Sequence, residues 1–585
     1  MRQCIDPPVH AILSALLCST FVVAGCSGES GNSSAIATPA QPASAGRHAF
    51  DPPAVTNGER LFLETRFAQF FKAYLDAGGT VNAPLPAGDP VMNLTVTTRS
   101  GLPGPFAGLS MNCRACHLVD EHVARQGGGM RTYGDFARRS PIPARADGKT
   151  VAPRNSPPLV NASLARAVGT LFHFDGEFPT MTGLTAATFT SRNFGWVPGE
   201  RAQAIAHVAR IVREDDGTGS LAQEFGGLSL AVMLTGSGQA IPNEFRIPPA
   251  FRVNVARATD QEIFDGVVRL VSAYVEQLVF SKNDTGAFNL SPYDVFLARN
   301  GFPRKPAENE SDLDYTRRLR SLITAREQAG TVQFVFGNPN TTHGTFQFHD
   351  QEFRFGPDEL AGLKLFLAEP TSTPLSPQAL SRGGVGNCVA CHAAPSFTDF
   401  NLHNTGTAQK EYDDIHGVGT FAQLGIPNLA ERSSHPERYL PATHTHPSYE
   451  EPFRTVPSAT NSNLTDLGVW NIFANPDMPE PQETIRTMLC DGQQPCPLSD
   501  DILLDWAIAR VKTPGLRDLG HGAPYMHNGQ FNGLDDIVRF YRDVSGQARA
   551  GTLRNGAPQL QGIALTTGDL SSLVAFLKSL NEDYE

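Results

Sequence analysis

The sequence predicts a mainly α-helical body with long ordered loops. Three observations predict it. Apolar residues recur at helical spacing in several segments, and few runs alternate with the period of two that a strand requires. Gly 54 and Pro 44 among 585 residues supply many turns, without the strict period of a fibrous protein. Hydrophobic residues make up 40% and charged residues 18%, which excludes a wholly disordered chain. The length leaves room for roughly two to four domains. The net charge is -12 and no Lys/Arg run is present, so no nucleic-acid partner is expected. An acidic surface suits a basic partner instead.

Taken in order, the chain begins with an address. Residues 9–24 are apolar behind Arg2, too short for a comfortable membrane span, and are followed by small residues, as in a secretory signal. Val23-Ala24-Gly25-Cys26 resembles a bacterial lipobox, in which Cys26 becomes the lipidated first residue. Ser27 then favours the outer membrane. Residues 1–25 read as a lipoprotein signal peptide, and 26–50, rich in Ser, Ala, Gly and Pro, as a flexible tether. The expected location is the bacterial cell envelope, lipid-anchored, facing the periplasm or on the outer membrane.

The body follows from Asp51. Residues 58–76 open Gly58-Glu59-Arg60-Leu61-Phe62 and continue in a helical pattern. Ile263, Val267, Leu270, Val271, Tyr274 and Leu278 predict a long helix over 263–280. Asp358 is placed to cap a helix carrying Leu360, Leu363 and Leu367. Further helices are expected from Leu534, and from Asp569 with Leu570, Leu573 and Leu577 on one face. The segment 283–357 reads as polar and mixed. No repeat is evident beyond the cysteine motifs described next. The predicted organisation is a first domain over 51–225, a helical insertion over 226–375 and a second domain over 376–585.

Cys4 and Cys18 leave with the signal, and six cysteines remain beyond Cys26. Four form Cys113-Arg114-Ala115-Cys116-His117 and Cys388-Val389-Ala390-Cys391-His392. This is the attachment motif of c-type haem: two thiols add across the vinyl groups, and the adjacent histidine becomes the proximal ligand. Composition alone predicts about 0.004 chance occurrences. A zinc ribbon is the rival, but its knuckles lie some tens of residues apart, and a histidine after each pair has no role there. Two covalent haems are expected, with His117 and His392 on the irons. Cys490 and Cys496 are expected to form a local disulfide in an oxidising compartment; free thiols or a metal site are the alternatives, without supporting residues nearby. The basic stretch 118–155, with Arg125, Arg131, Arg138, Arg139, Arg145, Lys149 and Arg154, reads either as a solvated loop or as a source of propionate partners.

These motifs resemble the bacterial di-haem cytochrome c peroxidase/MauG superfamily. Gly58 to Phe62 resembles its opening helix. Arg154-Asn155-Ser156-Pro157-Pro158 and Phe172-His173-Phe174-Asp175-Gly176 resemble two further segments. Phe397-Thr398-Asp399, His403-Asn404-Thr405-Gly406, Lys512 to Arg517 and Ala523 to Gly529 match the second half more specifically. The resemblance is good over 55–200 and 375–585, and poor between. It implies two cytochrome c-like haem domains with one Ca²⁺ between them, held by the Asn155 side chain and the carbonyls of Gly522 and Pro524. It also implies Tyr541 as the second ligand of the second haem. The register agrees, because Leu534, Ile537, Val538 and Tyr541 share one face. Met526 is the competing ligand. The first haem is expected open on its far side.

Two departures stand out. The inter-haem tryptophan of the family is Phe174 here; His173 or another aromatic would substitute. The distal glutamate is missing, since residues 184–196 contain no carboxylate. Arg192, Asn193 or a water would assist peroxide splitting, with Glu200 further on. His117, Phe174 and Arg192 are the expected catalytic residues. Three functions follow. The first is a peroxidase or MauG-like enzyme activating H2O2 at the first haem, while the second stores or relays electrons. Its partner would be a small electron-donor protein (a c-type cytochrome or cupredoxin) or a protein substrate. The second is an O2-dependent oxygenase resembling rubber-cleaving di-haem enzymes, with Phe189 and Phe194 lining its pocket. The third is an electron-transfer or redox-sensing cytochrome with both irons sealed.

Overall fold

The computed structural model describes residues 51–82, 112–113, 116–119, 132–133, 139–140, 142–166, 169–238, 240–337, 352–517 and 519–582. The expected signal peptide, Cys26 and the tether lie outside them, as do Arg114, Arg125, Arg131 and Arg138.

The described chain is largely helical. The helices that frame the site are α1 (Pro53–Phe62), α2 (Gln69–Asp76), α3 (Met181–Phe189), α4 (Arg201–Glu214), α5 (Asp260–Gln277), α6 (Pro292–Arg299) and α7 (Asp312–Gln328). They continue with α8 (Pro357–Phe366), α9 (Thr407–His416), α10 (Asp500–Trp506), α11 (Leu534–Ala550) and α12 (Leu570–Lys578). Strands come only as two-residue antiparallel pairs: β1 (Leu118–Val119) with β2 (Thr132–Tyr133), β3 (Val335–Phe336) with β4 (Arg354–Phe355), and β5 (Leu402–His403) with β6 (Val511–Lys512). These ladders pin loops rather than build a layer.

Three local expectations are corrected. The helix expected over 58–76 breaks at 63–68. There the buried Glu64 carboxylate accepts from the Arg66 backbone N–H (3.1 Å) and from its guanidinium (2.7 and 2.6 Å), which fixes a turn. Asp358 is exposed in the first turn of α8 and does not cap it. Glu359 does so by accepting from the Gly356 N–H at 2.7 Å, with Pro357 at the first helical position. The mixed segment 283–357 holds α6 and α7, each capped by a serine, Ser291 and Ser311. Only Tyr315, Thr316, Leu319 and Ile323 of α7 are buried, so its apolar stripe is too thin to stand out among the charges.

The apolar side chains form three cores. One runs from Ala54 to Phe288 and contains α1 to α5. The second joins residues 293–397 to 534–580. The third gathers Leu171 with residues 402–509 around the fully buried Trp470. The stretch 226–375 is therefore shared between two cores, because α5 packs on α1 and α8 packs on α12.

Those two helix pairs are built alike. A Cβ on Gly58 would collide with the Leu270 carbonyl of α5, and one on Gly362 with the Ser572 carbonyl of α12. Gly58 opens Gly-Glu-Arg-Leu-Phe and Gly362 opens Gly-Leu-Lys-Leu-Phe. The second repeat, absent from the sequence reading, is this close helix crossing on either side of the chain's two cysteine motifs.

Candidate active site

Both cysteine motifs close the same backbone turn. The N–H groups of Cys116 and His117 return to the Cys113 carbonyl at 3.1 and 2.8 Å. Those of Cys391 and His392 return to Cys388 at the same distances. The four thiols are free of disulfides. His392 Nδ1 bonds the Phe397 carbonyl at 2.8 Å, which leaves Nε2 with its lone pair. Burial pushes His117 down to about 4 and lowers His392 as well, so both imidazoles are neutral, as a metal ligand must be. Paired free thiols beside a neutral buried imidazole fit covalently attached haem at both places.

A cavity of about 1140 Å³ surrounds the first motif. Cys113, Cys116 and His117 line it together with Phe174 and α3; the rim comes from residues 442–451 and 477–481 of the third core. Phe189 and Phe194 are buried in its wall, their rings 5.0 Å apart. Phe174 faces this cavity, and its ring centre lies 6.2 Å from that of His527. Lys512 N–H donates to the Phe174 carbonyl at 2.7 Å, fixing that segment to β6.

Arg192 lines the cavity; its Nε and Nη2 are engaged, while its Nη1 is buried without a hydrogen-bond partner. It donates to Asp147 (2.7 Å), to the Pro143 carbonyl (2.7 Å) and to the Lys149 carbonyl (2.9 Å), clamping residues 143–149. Glu200 pairs with Arg145 at 2.7 Å and accepts from the Val197 N–H at 3.0 Å. Arg139 pairs with the buried Glu411 (2.8 Å), so it too is spent within the protein.

A carboxylate does line the cavity, before the segment 184–196 and three residues after Phe174: Glu177. Its carboxylate meets His173 Nδ1 at 3.2 Å and is ion-paired to Arg454. Burial alone would raise the Glu177 carboxyl; the Arg454 guanidinium and the His173 ring together outweigh it and hold the carboxyl below its ordinary value. Beside it, the fully buried Asp175 lies between Arg154 (2.5 Å) and Arg454 (3.0 Å). Arg154 also forks onto Asp466 at 2.6 and 2.7 Å. The signal available in the sequence was only Asp-Gly-Glu after Phe174; its partner Arg454 lies 277 residues away.

At the second motif, burial pushes the Tyr541 hydroxyl on α11 well above its ordinary value, and the nearby Cys391 and Cys388 raise it further. Its hydroxyl bonds Thr405. Met526 is half-buried in the same core, in a left-handed turn at φ 69°. His403 Nε2 bonds Asp399 at 2.7 Å. Asn155 Nδ2 donates to the Pro524 carbonyl at 2.7 Å, and its Oδ1 accepts from the Ser156 N–H at 2.9 Å. The Gly522 N–H bonds Leu519. Asn155 and Pro524 thus meet, but satisfy one another; a cation between them requires the amide to turn its oxygen. Cys490 and Cys496 are joined in a disulfide with Cα atoms 5.8 Å apart.

No protein-family model matches the chain. It is 27% identical over 199 residues to the cytochrome-c peroxidase IdrP2 of Denitromonas iodatirespirans, covering 34% of this chain and 37% of that protein. Against IdrP2 of a Pseudomonas species the values are 28% over 207 residues, 35% and 38%. Against the methylamine utilization protein MauG of Methylophilus methylotrophus they are 34% over 70 residues, 12% and 19%. The chain thus spans under two fifths of the length of these relatives. Among solved structures, the diheme peroxidase BthA of Burkholderia thailandensis aligns with 15% identity and a TM-score of 0.37, over 91% of this chain and 86% of that one. A MauG-like protein associated with microbial copper homeostasis aligns with 15% and 0.37, over 91% and 89%.

Proposed function

We propose, for a chain that belongs to the di-haem cytochrome c peroxidase and MauG superfamily, the peroxide-dependent oxidation of an electron donor at the cavity around His117. The observation that carries this reading is the cavity. It reaches from the first cysteine motif to an ionised carboxylate, Glu177, so a small oxidant has both space and a proton acceptor. When bound, the first haem supplies the iron at which peroxide is reduced, and the second supplies a store of electrons. Glu177 takes the proton of the incoming peroxide and returns it to the departing water. His173 orients that carboxylate, and Arg454 keeps it ionised. Arg192 holds the loop 143–149 through Nε and Nη2, and its remaining Nη1 is available to the oxidant.

Phe174 is the proposed link toward the second site, supported by its place between the cavity and His527. Tyr541 is the proposed second ligand at that site, supported by its proximity to Cys388 and Cys391. A calcium ion held by Asn155, Gly522 and Pro524 belongs to the same reading; its support is the meeting of Asn155 with Pro524. The donor is a c-type cytochrome, a cupredoxin or a protein substrate, for which the net charge of -12 favours a basic surface. Cys26 anchors the protein by lipid to the cell envelope.

An O2-dependent oxygenase is the second reading, favoured by the buried Phe189 and Phe194 in the cavity wall. Low-temperature EPR of the ferric protein with both haems tests the open site. One high-spin and one low-spin signal are expected; two low-spin signals overturn a resting open cavity. Peroxide consumption without O2 uptake then selects the first reading over the second.

A further inference from the structure

The cavity around His117 has an aromatic exit. Trp196 is fully buried, lines the cavity, and its indole N–H has no hydrogen-bond partner. An unpaired buried donor is destabilising, so an indole is a poor choice for filling space that a phenyl ring would fill. Its ring centre lies 5.9 Å from that of His207 on α4. His207 Nε2 bonds the Arg66 carbonyl at 2.8 Å, which makes Nε2 the donor and Nδ1 the acceptor, and Nδ1 is also unpaired. Burial pushes His207 down to about 4, so the ring is neutral. Two adjacent rings thus carry an unused donor and an unused acceptor.

The chain of rings continues outward. His207 lies 6.4 Å from Phe71, and Phe71 lies 5.4 Å from Tyr74, both on α2. Tyr74 is half-exposed. No step between ring centres exceeds 6.4 Å. Both ends of the chain are side chains that lose single electrons readily. We propose that Trp196, His207, Phe71 and Tyr74 form an electron path from the cavity to the surface, where Tyr74 oxidises phenolic donors too large to enter. This rests on the peroxide-dependent reading above and extends it to a second class of substrate.

The balance is simple. Hydrogen peroxide takes two electrons and two protons and leaves as two waters. Each electron comes from Trp196 and is replaced from Tyr74 across Phe71 and His207. On oxidation, Trp196 keeps its indole proton, and its positive charge is discharged when the electron returns from Tyr74. Tyr74 releases its phenolic proton to solvent and regains one when the donor reduces it. Two donor phenols each lose one electron and one proton and become phenoxyl radicals, which couple.

The test uses the full chain with both haems, hydrogen peroxide, a nitroso spin trap and dextran carrying tyramine groups. In the unaltered protein, mass spectrometry is expected to find the trap on Tyr74, and the dextran cross-links. W196F is expected to lose the Tyr74 adduct. Y74F, altered at the surface where folding is not at risk, is expected to slow cross-linking at least tenfold. An adduct on Tyr74 that persists in W196F, or cross-linking by Y74F at the unaltered rate, overturns the path. Peroxide consumed with no adduct in the unaltered protein sinks the path alone. No peroxide consumption sinks the function reading, and this path with it.

Discussion

Glu177 and Arg454 form an ion pair in the wall of the cavity that contains His117, although 277 residues separate them in sequence. The pair joins a segment of the first core to the third. Under the proposed function it also helps keep ionised the carboxylate that takes the peroxide proton. Replacing Glu177 by Gln should lower kcat/KM for peroxide by about 10²–10⁴-fold with the haem spectra unchanged. The pH profile adds a sign. Burial raises the carboxyl, but Arg454 holds it lower, so the basic form persists below the ordinary glutamate range. Activity should hold through neutral and mildly acid pH and fall only as Glu177 protonates in stronger acid. E177Q should lose that acid limb. Stopped-flow rates across pH check both.

Tyr541 and Met526 compete for one position, and Tyr541 is near the thiols of the second motif. Y541F should remove the low-spin ferric signal of one haem of the two, and M526L should leave it. Tyr541→Met should raise the potential of the second haem, since thioether favours the ferrous state more than phenolate does. EPR with a redox titration decides; a spectrum unmoved in Y541F assigns the ligand elsewhere.

Asp175 is wholly buried between two guanidinium groups. Desolvation alone would raise its carboxyl; Arg154 and Arg454 outweigh that and hold it well below the usual carboxylate range. A depressed folded-state value contributes stability above the unfolded aspartate value of about 3.9, lost as pH falls through the folded value. Thermal stability should thus fall in acid below about pH 4 through this group. Asp175→Asn should cost about 3–5 kcal/mol at neutral pH, because two buried cations lose their shared partner. Differential scanning at several pH values measures both.

Gly58 and Gly362 each let one helix lie against the backbone of another. Adding a methyl group at either must push the pair apart. G58A and G362A should each destabilise by about 1–3 kcal/mol. G362A acts on the core that holds Cys388 and Tyr541, so it should also disturb the second haem spectrum. An unchanged Tm in both variants would mean the crossings relax freely.

Local patterns were legible wherever the information lies within a few residues. The helices at α5, α11 and α12 follow from apolar spacing, and the cysteine motifs announce themselves because covalent attachment demands fixed neighbours. The break after α1 was hidden, since Glu64, Arg66 and Asp215 make it together, and Asp215 is remote in sequence. α7 was hidden because its buried face is only four residues wide.

The sequence by itself determined two Cys-x-x-Cys-His turns and a mainly helical body, and carried the resemblance to the family. Each depends on residues a turn or two apart. Only the tertiary structure decided what those turns face. It brought Glu177 beside Arg454, tied Arg192 to the loop 143–149, and set Trp196 against His207. These are long-range pairings of buried charges and rings. They form because a buried polar group must find a partner wherever the fold brings one, and spacing along the chain carries no record of that choice.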